Sequence, residues 1–349
     1  LYSTPGGDTK QVDLTAHYLR LLGVAVDIIL TNQPLDYSSY DLLHFFNIIR
    51  PADIIRHMRR SGKPCVVSTI FLDYGSFEKN ARGGLIGISN KVFSEDRIEF
   101  LKAIARRVKN GERIMSSEYI RWGHRRSVQY VAAHAAMLLP NSESEYARLA
   151  AKYDVHRPYH VVPNGIDASV AARARIRKPE YENAVLCVAR IEGRKNQLNL
   201  IRALSNTSYK LIIHGKHSPN HESYYQACRA AAGPNVHFSE WLSEEDLYAM
   251  YHSASVHVLP SYFETTGLAS LEAAVMGCNI VITDRGDTRD YFGNNAWYCD
   301  PDDPASILGA VAAAFSAPYN QQFRQHILTH YTWERAAEET RKAYQKVLG

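Results

Sequence analysis

The run Pro260-Ser261-Tyr262-Phe263-Glu264-Thr265-Thr266-Gly267-Leu268, continued to Glu272, sets two carboxylates on either side of a glycine that opens a helical pattern. The apolar stretch Val256–Leu259 leads into it, Gly277 closes the helix, and a second apolar stretch, Ile280–Thr283, follows. A helix starting at Thr266, Gly267 and Leu268 presents unpaired backbone N–H groups and the positive end of its dipole, which favours a phosphate. Glu264 and Glu272 cannot hold that anion themselves. They can accept hydrogen bonds from hydroxyls, and phosphate together with polyol is the make-up of a nucleotide sugar. Glu272 stands five residues past Gly267, about 7.5 Å along the axis, while Glu264 stays in the loop above. On spacing alone, two solvated acids flanking an ordinary strand-to-helix turn fit as well, since Glu is mostly exposed.

Arg190 and Lys195 follow another apolar stretch, Ala184–Ala189. Arg forks onto phosphate oxygens and Lys adds a compact charge, so the pair can neutralise a departing diphosphate. Positive charge at a helix start opposes the dipole, which argues for a ligand there. Gly6 and Gly7, in Tyr2-Ser3-Thr4-Pro5-Gly6-Gly7, stand where a first strand turns into a helix, and paired glycines let backbone approach a phosphate. Trp241 and Leu242 precede the Ser243 helix start and are candidates for lining a base site. Two patterns are set aside. Asp300-Pro301-Asp302 looks like a metal motif, but its prolines and apolar lead read as a loop with a helix cap at Asp303. His214, His217 and His221 lack a fourth ligand and lie in a Gly/Pro/Asn loop. No metal and no cofactor are expected.

Apolar runs of four to eight residues alternate with helical stretches along the chain, the pattern of a mostly parallel sheet covered on both faces. The first series has strands at Val24–Leu30, Leu42–Phe46, Cys65–Thr69, Ala136–Pro140 and His160–Val162, with helices at Thr9–Leu22, Ala52–Arg60, Asp96–Arg107, Ser127–His134 and Glu143–Lys152. A second series runs from Ala184 to Thr283, after a hinge near Asn164–Asp167 and a linker or helix over Ala168–Lys178. The expected domains are 1–165 and 166–331. Hydrophobic residues make up 46% and charged residues 22%, an ordinary globular composition. The five cysteines lack C-x-x-C spacing and read as buried free thiols. No apolar run approaches the ~18 residues of a membrane span and no leader pattern opens the chain, so a soluble, cytoplasmic protein is expected.

The segment Glu264 to Glu272, followed by Ala273-Ala274 and Gly277, resembles the E-x7-E signature of family 4 retaining glycosyltransferases of the GT-B fold. Val162-Pro163-Asn164-Gly165-Ile166-Asp167, Val188-Ala189-Arg190-Ile191-Glu192-Gly193-Arg194-Lys195-Asn196, Ser243-Glu244-Glu245-Asp246-Leu247 and Asp300-Pro301-Asp302-Asp303-Pro304 follow the same family in order, over roughly residues 140–310. The resemblance implies an α/β architecture of two Rossmann-like doubly wound domains facing a central cleft. It implies a final helix, about 332–349, packing back on the first domain. It further implies a metal-independent, retaining transfer of a sugar from a nucleoside diphosphate sugar to a glycan or lipid-linked acceptor, as in cell-envelope polysaccharide synthesis. Arg190, Lys195 and the helix N-terminus at Gly267 would then stabilise the diphosphate, Glu272 would hold the ribose, Glu264 would contact the sugar, and Gly6 and Gly7 would face the diphosphate. A GT-B-fold epimerase, or a nucleotide-sugar-binding protein without transferase activity, are the rival readings.

The sequence departs from the family at one place. Where many members carry a histidine two residues after the threonine ending a strand, Thr69-Ile70-Phe71 has phenylalanine; Asp73, His44 or Asn47 are the candidates to replace it. The first domain also carries the positive charge: residues 1–165 hold 22 Lys+Arg against 16 Asp+Glu. The runs Arg56–Lys63, Arg106–Lys109 and Arg121–Arg126 point either to solvated helix faces or to peripheral binding at an anionic membrane, the inner face of the cell membrane being the expected location. No nucleic-acid partner is expected.

Overall fold

A computed structural model describes residues 7–72, 96–101, 116–173 and 176–349. Gly6, Asp73 and the run Arg106–Lys109 lie outside the described residues. The chain divides into two compact units, Leu1–Pro163 with Trp333–Gly349, and Asn164–Thr332.

In the first unit, β1 (Leu43–Phe46), β2 (Cys65–Ser68) and β3 (Met137–Leu139) form a parallel sheet in that order. The Pro51–Ser61 helix starts on Pro51, whose fixed φ suits a first turn, and ends at Gly62 in the left-handed region (φ 61°). The Glu143–Tyr153 helix begins with Ser142 accepting from the Glu145 N–H. Ile54, Ile55, Val67, Val128, Val131, Leu138 and Leu149 meet in one buried cluster. The Trp333–Leu348 helix packs on the Gly7–Leu21 helix and on β3, with Trp333 fully buried.

Several expectations change here. Val24–Leu30 forms no strand: it is an apolar run broken only by Asp27, but no described strand pairs with it, and Arg20 instead binds the Val26 carbonyl at 2.6 and 3.0 Å. His160–Val162 runs alongside β3, donating to Leu138 and Pro140, yet makes only a single bridge at Tyr159. The helix expected at Ser127–His134 begins ten residues earlier, at Ser117, and is kinked at Gly123 (φ 75°).

His44 is half-buried with both ring nitrogens engaged, and Phe71 is a core residue. His44 Nδ1 lies 2.7 Å from the Tyr344 hydroxyl and Nε2 lies 2.9 Å from Ser68 Oγ, so neither ring nitrogen is left for a substrate. Phe71 is buried against Tyr153. Burial lowers the His44 pKa to about 3. Unfolded, the same ring titrates near 6.5, so between about pH 6.5 and pH 3 the unfolded chain binds the extra proton and stability falls as pH falls. Chemical denaturation at pH 7 and pH 5 should therefore show a loss approaching 1.4 kcal/mol per pH unit from this group. A His44→Asn variant should have a flatter acid limb; an unchanged slope would mean that His44 does not stay neutral in the fold.

The second unit holds a six-stranded, all-parallel sheet: β4 (Ala184–Val188), β5 (Lys210–His214), β6 (Val236–Ser239), β7 (Val256–Leu259), β8 (Asn279–Thr283) and β9 (Trp297–Cys299), in the order β6-β5-β4-β7-β8-β9. Neighbouring residues of one strand enter different cores. Leu186 and Ile282 pack with Leu271 and Phe292 on one face, whereas Val185, Cys187 and Val281 pack with Leu200, Ile201 and Val311 on the other. Both faces are buried, which is why the strands read as continuous apolar runs. The order reverses between β4 and β7, and in such sheets ligands bind outside the strand ends at that point. All five cysteines are free and buried.

Candidate functional site

The loops leaving β4 and β7 meet at this reversal. After β4 the chain makes a tight turn at Gly193–Lys195 and passes through Asn196 in the left-handed region (φ 59°). The buried Asn196 amide donates to the Pro260 carbonyl at 3.1 Å and to the Pro301 carbonyl at 2.7 Å, and the Tyr262 N–H donates to the Arg194 carbonyl at 2.9 Å. Asn196 and Tyr262 thus fix the two loops to each other.

Lys195 Nζ donates to Glu264 Oε2 at 2.5 Å, and Ser261 Oγ donates to the same oxygen at 3.1 Å. The pair is nearly enclosed, with side-chain exposures of 14% and 9%. Burial pushes the Glu264 carboxyl up, but the charges of Lys195 and Arg194 and the two hydrogen bonds outweigh it and hold the group below its ordinary value. Glu264 is therefore an ionised acceptor. Its backbone is gripped as well: its N–H donates to Arg285 O at 3.0 Å and its carbonyl accepts from Asp287 N at 2.9 Å.

Gly267 caps the Leu268–Met276 helix in the left-handed region (φ 68°, ψ 51°), a conformation that other residues enter at a cost. Thr266 is buried and accepts from Asn164 Nδ2 at 3.3 Å. Glu272 is half-buried on the same helix. Lys195, Glu264, Thr266, Gly267 and Leu268 thus lie on two joined loops.

The other expected residues are placed differently. Arg190 stands exposed just past the end of β4. Trp241 is 78% exposed in the loop after β6, with Lys216 Nζ 3.4 Å from its ring centroid, and Leu242 packs toward the core. Gly7 opens the Gly7–Leu21 helix of the first unit. The family resemblance implies separate partners for Lys195 and Glu264, diphosphate and sugar, whereas in the structure each holds the other.

Asp300 and Asp302 both bind Arg285, at 2.7 and 2.6 Å, and Asp303 accepts from Ala305 N at the start of the Pro304–Ser316 helix. His214 pairs with Ser239, while His217 binds Glu222 and stacks on Tyr225. Among the described residues no three His, Cys, Asp or Glu side chains cluster to hold a metal ion. Arg194, Ser261 and Asn196 were missed as site residues, although Arg194 and Asn196 flank Lys195 and Ser261 stands three residues before Glu264. Gly286, against the backbone of Glu264, left no local signal.

Residues 170–327 match the family model described as "Glycosyl transferases group 1". A glycogen synthase of Mycobacterium tuberculosis is 29% identical over 196 residues, 53% of this chain and 47% of that protein. A D-inositol 3-phosphate glycosyltransferase of Acidothermus cellulolyticus is 24% identical over 247 residues, 62% of this chain and 55% of that protein. The chain spans about half the length of these curated relatives. Among solved structures, a sucrose-phosphate synthase from Thermosynechococcus elongatus superposes with a TM-score of 0.70 at 17% identity, covering 98% of this chain and 94% of that one. That likeness is one of fold, the GT-B fold.

Proposed function

From the match of residues 170–327 to the glycosyl transferases group 1 model, we propose that this chain transfers a sugar from a nucleoside diphosphate sugar to a glycan or lipid-linked acceptor, in polysaccharide synthesis of the cell envelope. The observation that carries this reading is the enclosed Lys195–Glu264 pair beside the Gly267 helix start at the sheet's reversal point. A polyanion arriving there meets Lys195, Arg190 and free N–H groups of the helix. As the glycosidic bond breaks, charge grows on the diphosphate, and fixed cations and dipoles stabilise it without reorganisation. Glu264, ionised and oriented by Ser261, accepts from sugar hydroxyls, and Glu272 accepts from the ribose. The reaction retains the anomeric configuration and needs no metal. Trp241 lines the base site, and the first unit, with Gly6, Gly7 and Asp73, serves the diphosphate and the acceptor.

Thermal-shift measurements with uridine, guanosine and adenosine diphosphates test the donor. At 100 times its dissociation constant a bound nucleotide adds about 2.7 kcal/mol to native stability. Glu272→Ala should weaken that nucleotide's binding, whereas Glu264→Ala should mainly lower turnover; equal loss of affinity in both would end this division of roles. Activity abolished by a chelator and restored by magnesium or manganese would end the metal-free reading. Phe71, buried where a polar contact was expected, favours a second reading, a binding protein without transfer. Absence of both transfer and donor hydrolysis in a chain that binds nucleotide would establish it.

For the acceptor side, the Pro51–Ser61 helix packs on the Ser117–His134 helix, which brings exposed Arg59 and Arg60 to the same pair of helices as exposed Arg121, Arg125 and Arg126. Arg59 already pairs with Glu118 and Arg125 with Asp96, so Arg60, Arg121 and Arg126 are the residues of this surface that suit an anionic membrane carrying the acceptor, at about 1 kcal/mol per residue. Co-sedimentation with anionic vesicles should occur at low salt and fade as salt rises; no binding at low salt would leave a solvated face. No described helix is long and apolar enough to cross a membrane.

A further inference from the structure

Strands β4 and β7 pair only at Val185↔Val256 and Leu186↔His257, although β4 continues to Val188 and β7 to Leu259. Past Leu186 the two strands part, and this is the gap above which the site loops meet. Backbone N–H groups along a strand alternate between its two neighbours. Ala189 N–H turns to β5, donating to His214 O at 3.0 Å, so Val188 N–H faces the gap. It is received there by Nε2 of His257, 3.4 Å away. The other ring nitrogen, Nδ1, lies 3.1 Å from Ser270 Oγ on the Leu268–Met276 helix. With Nε2 accepting, Nδ1 carries the proton and donates to Ser270.

His257 and Ser270 are both fully buried. Burial, reinforced by the Lys195 charge and opposed by Glu264, lowers the His257 pKa to about 3. The ring is neutral throughout the working range, so its two hydrogen bonds keep their directions.

We infer that His257 is a positioning residue: its ring spans the gap between β4 and β7 and fixes the strand end carrying Arg190 and Lys195 relative to the helix carrying Gly267 and Glu272. An ordinary core histidine satisfies its nitrogens wherever it lies. This one joins, through its two nitrogens, the two elements that bear the anion-binding groups, at the place where the sheet ceases to join them. The inference rests on reading those groups as a diphosphate site.

The test uses the full chain and His257→Phe, which keeps the ring and removes both bonds, together with His257→Asn and His257→Gln, which each retain one. Amide hydrogen exchange over residues 186–196 should quicken in His257→Phe. Binding of whichever of uridine, guanosine or adenosine diphosphate the wild type accepts should weaken about tenfold, the usual order for a group that orients a binding residue. The Asn and Gln variants should each recover part of that loss. Unchanged exchange in folded His257→Phe, or faster exchange with wild-type nucleotide affinity, overturns the inference. If His257→Phe does not melt cooperatively, the same two readings are taken on the Asn and Gln variants. A wild type that binds none of the three nucleotides refutes the donor reading, and the exchange measurement still decides whether His257 clamps the strand end.

Discussion

Replacing Lys195 by methionine is expected to lower turnover by about 10²- to 10³-fold and to destabilise the second unit by about 3 kcal/mol. The two losses have different causes. The stability loss comes from Glu264: its carboxylate is nearly enclosed, and the Lys195 charge is the largest influence opposing the upward push of burial. Without that charge Glu264 must either stay ionised against its surroundings or take up a proton. The turnover loss comes from the transition state, where one fixed cation stabilising the departing diphosphate is worth several kcal/mol. A double variant, Lys195→Met with Glu264→Gln, should regain most of the stability, because a neutral amide tolerates burial beside Ser261, and none of the turnover. Arg190→Ala separates the causes from the other side. Arg190 is exposed, so its removal should leave the melting temperature within a degree or two while still cutting turnover, by about 2–4 kcal/mol of barrier. Near-normal rates in Lys195→Met or Arg190→Ala would remove that residue from the site.

The sheet of the second unit was legible because Val185, Leu186 and Cys187 face alternate covered sides, which leaves no polar residue to interrupt the apolar run. The same reasoning failed at Val24–Leu30. Apart from Asp27 its run is just as apolar, but a strand is defined by a partner, and partnership is a long-range property. Lys195, Glu264 and Gly267 were visible because a strand-to-helix turn fixes where neighbouring residues go. Their pairing was not, since Lys195 and Glu264 are 69 positions apart. His257 was hidden by a different cause: in the sequence it is one polar residue within Val256–Leu259, and only the parting of β4 from β7 shows why an apolar strand carries it. His44 occupies a comparable place on β1 and proves structural. The residue type alone could not separate the two.

Gly286→Ala is expected to damage the site through a single added methyl group. Gly286 has φ 108°, a conformation that a side chain makes strained, and an added Cβ would lie 2.0 Å from the Glu264 carbonyl oxygen and 2.9 Å from its carbonyl carbon. The obstacle is backbone, so no rotamer change relieves it. Glu264 pairs with Gly286 in a parallel bridge whose two hydrogen bonds, Glu264 N–H to Arg285 O and Asp287 N–H to Glu264 O, measure 3.0 and 2.9 Å. One of two things must give. If Gly286 retreats, the bridge opens and Glu264 loses the backbone support that holds it against Lys195. If Glu264 retreats instead, the carboxylate leaves Lys195 and Ser261 directly. The strained φ alone costs about 1–3 kcal/mol, and the displacement of Glu264 should lower turnover more than that figure implies, because misplacement by about 1 Å of a group that positions substrate can cost 10²-fold. The measurement is a melt of the variant beside its rate at saturating donor. A cooperative transition lowered by several degrees with turnover reduced about 100-fold is the expected result. Wild-type turnover in the folded variant would show that Glu264 is not needed in its observed position, and the role given to it in sugar transfer would fall with that result.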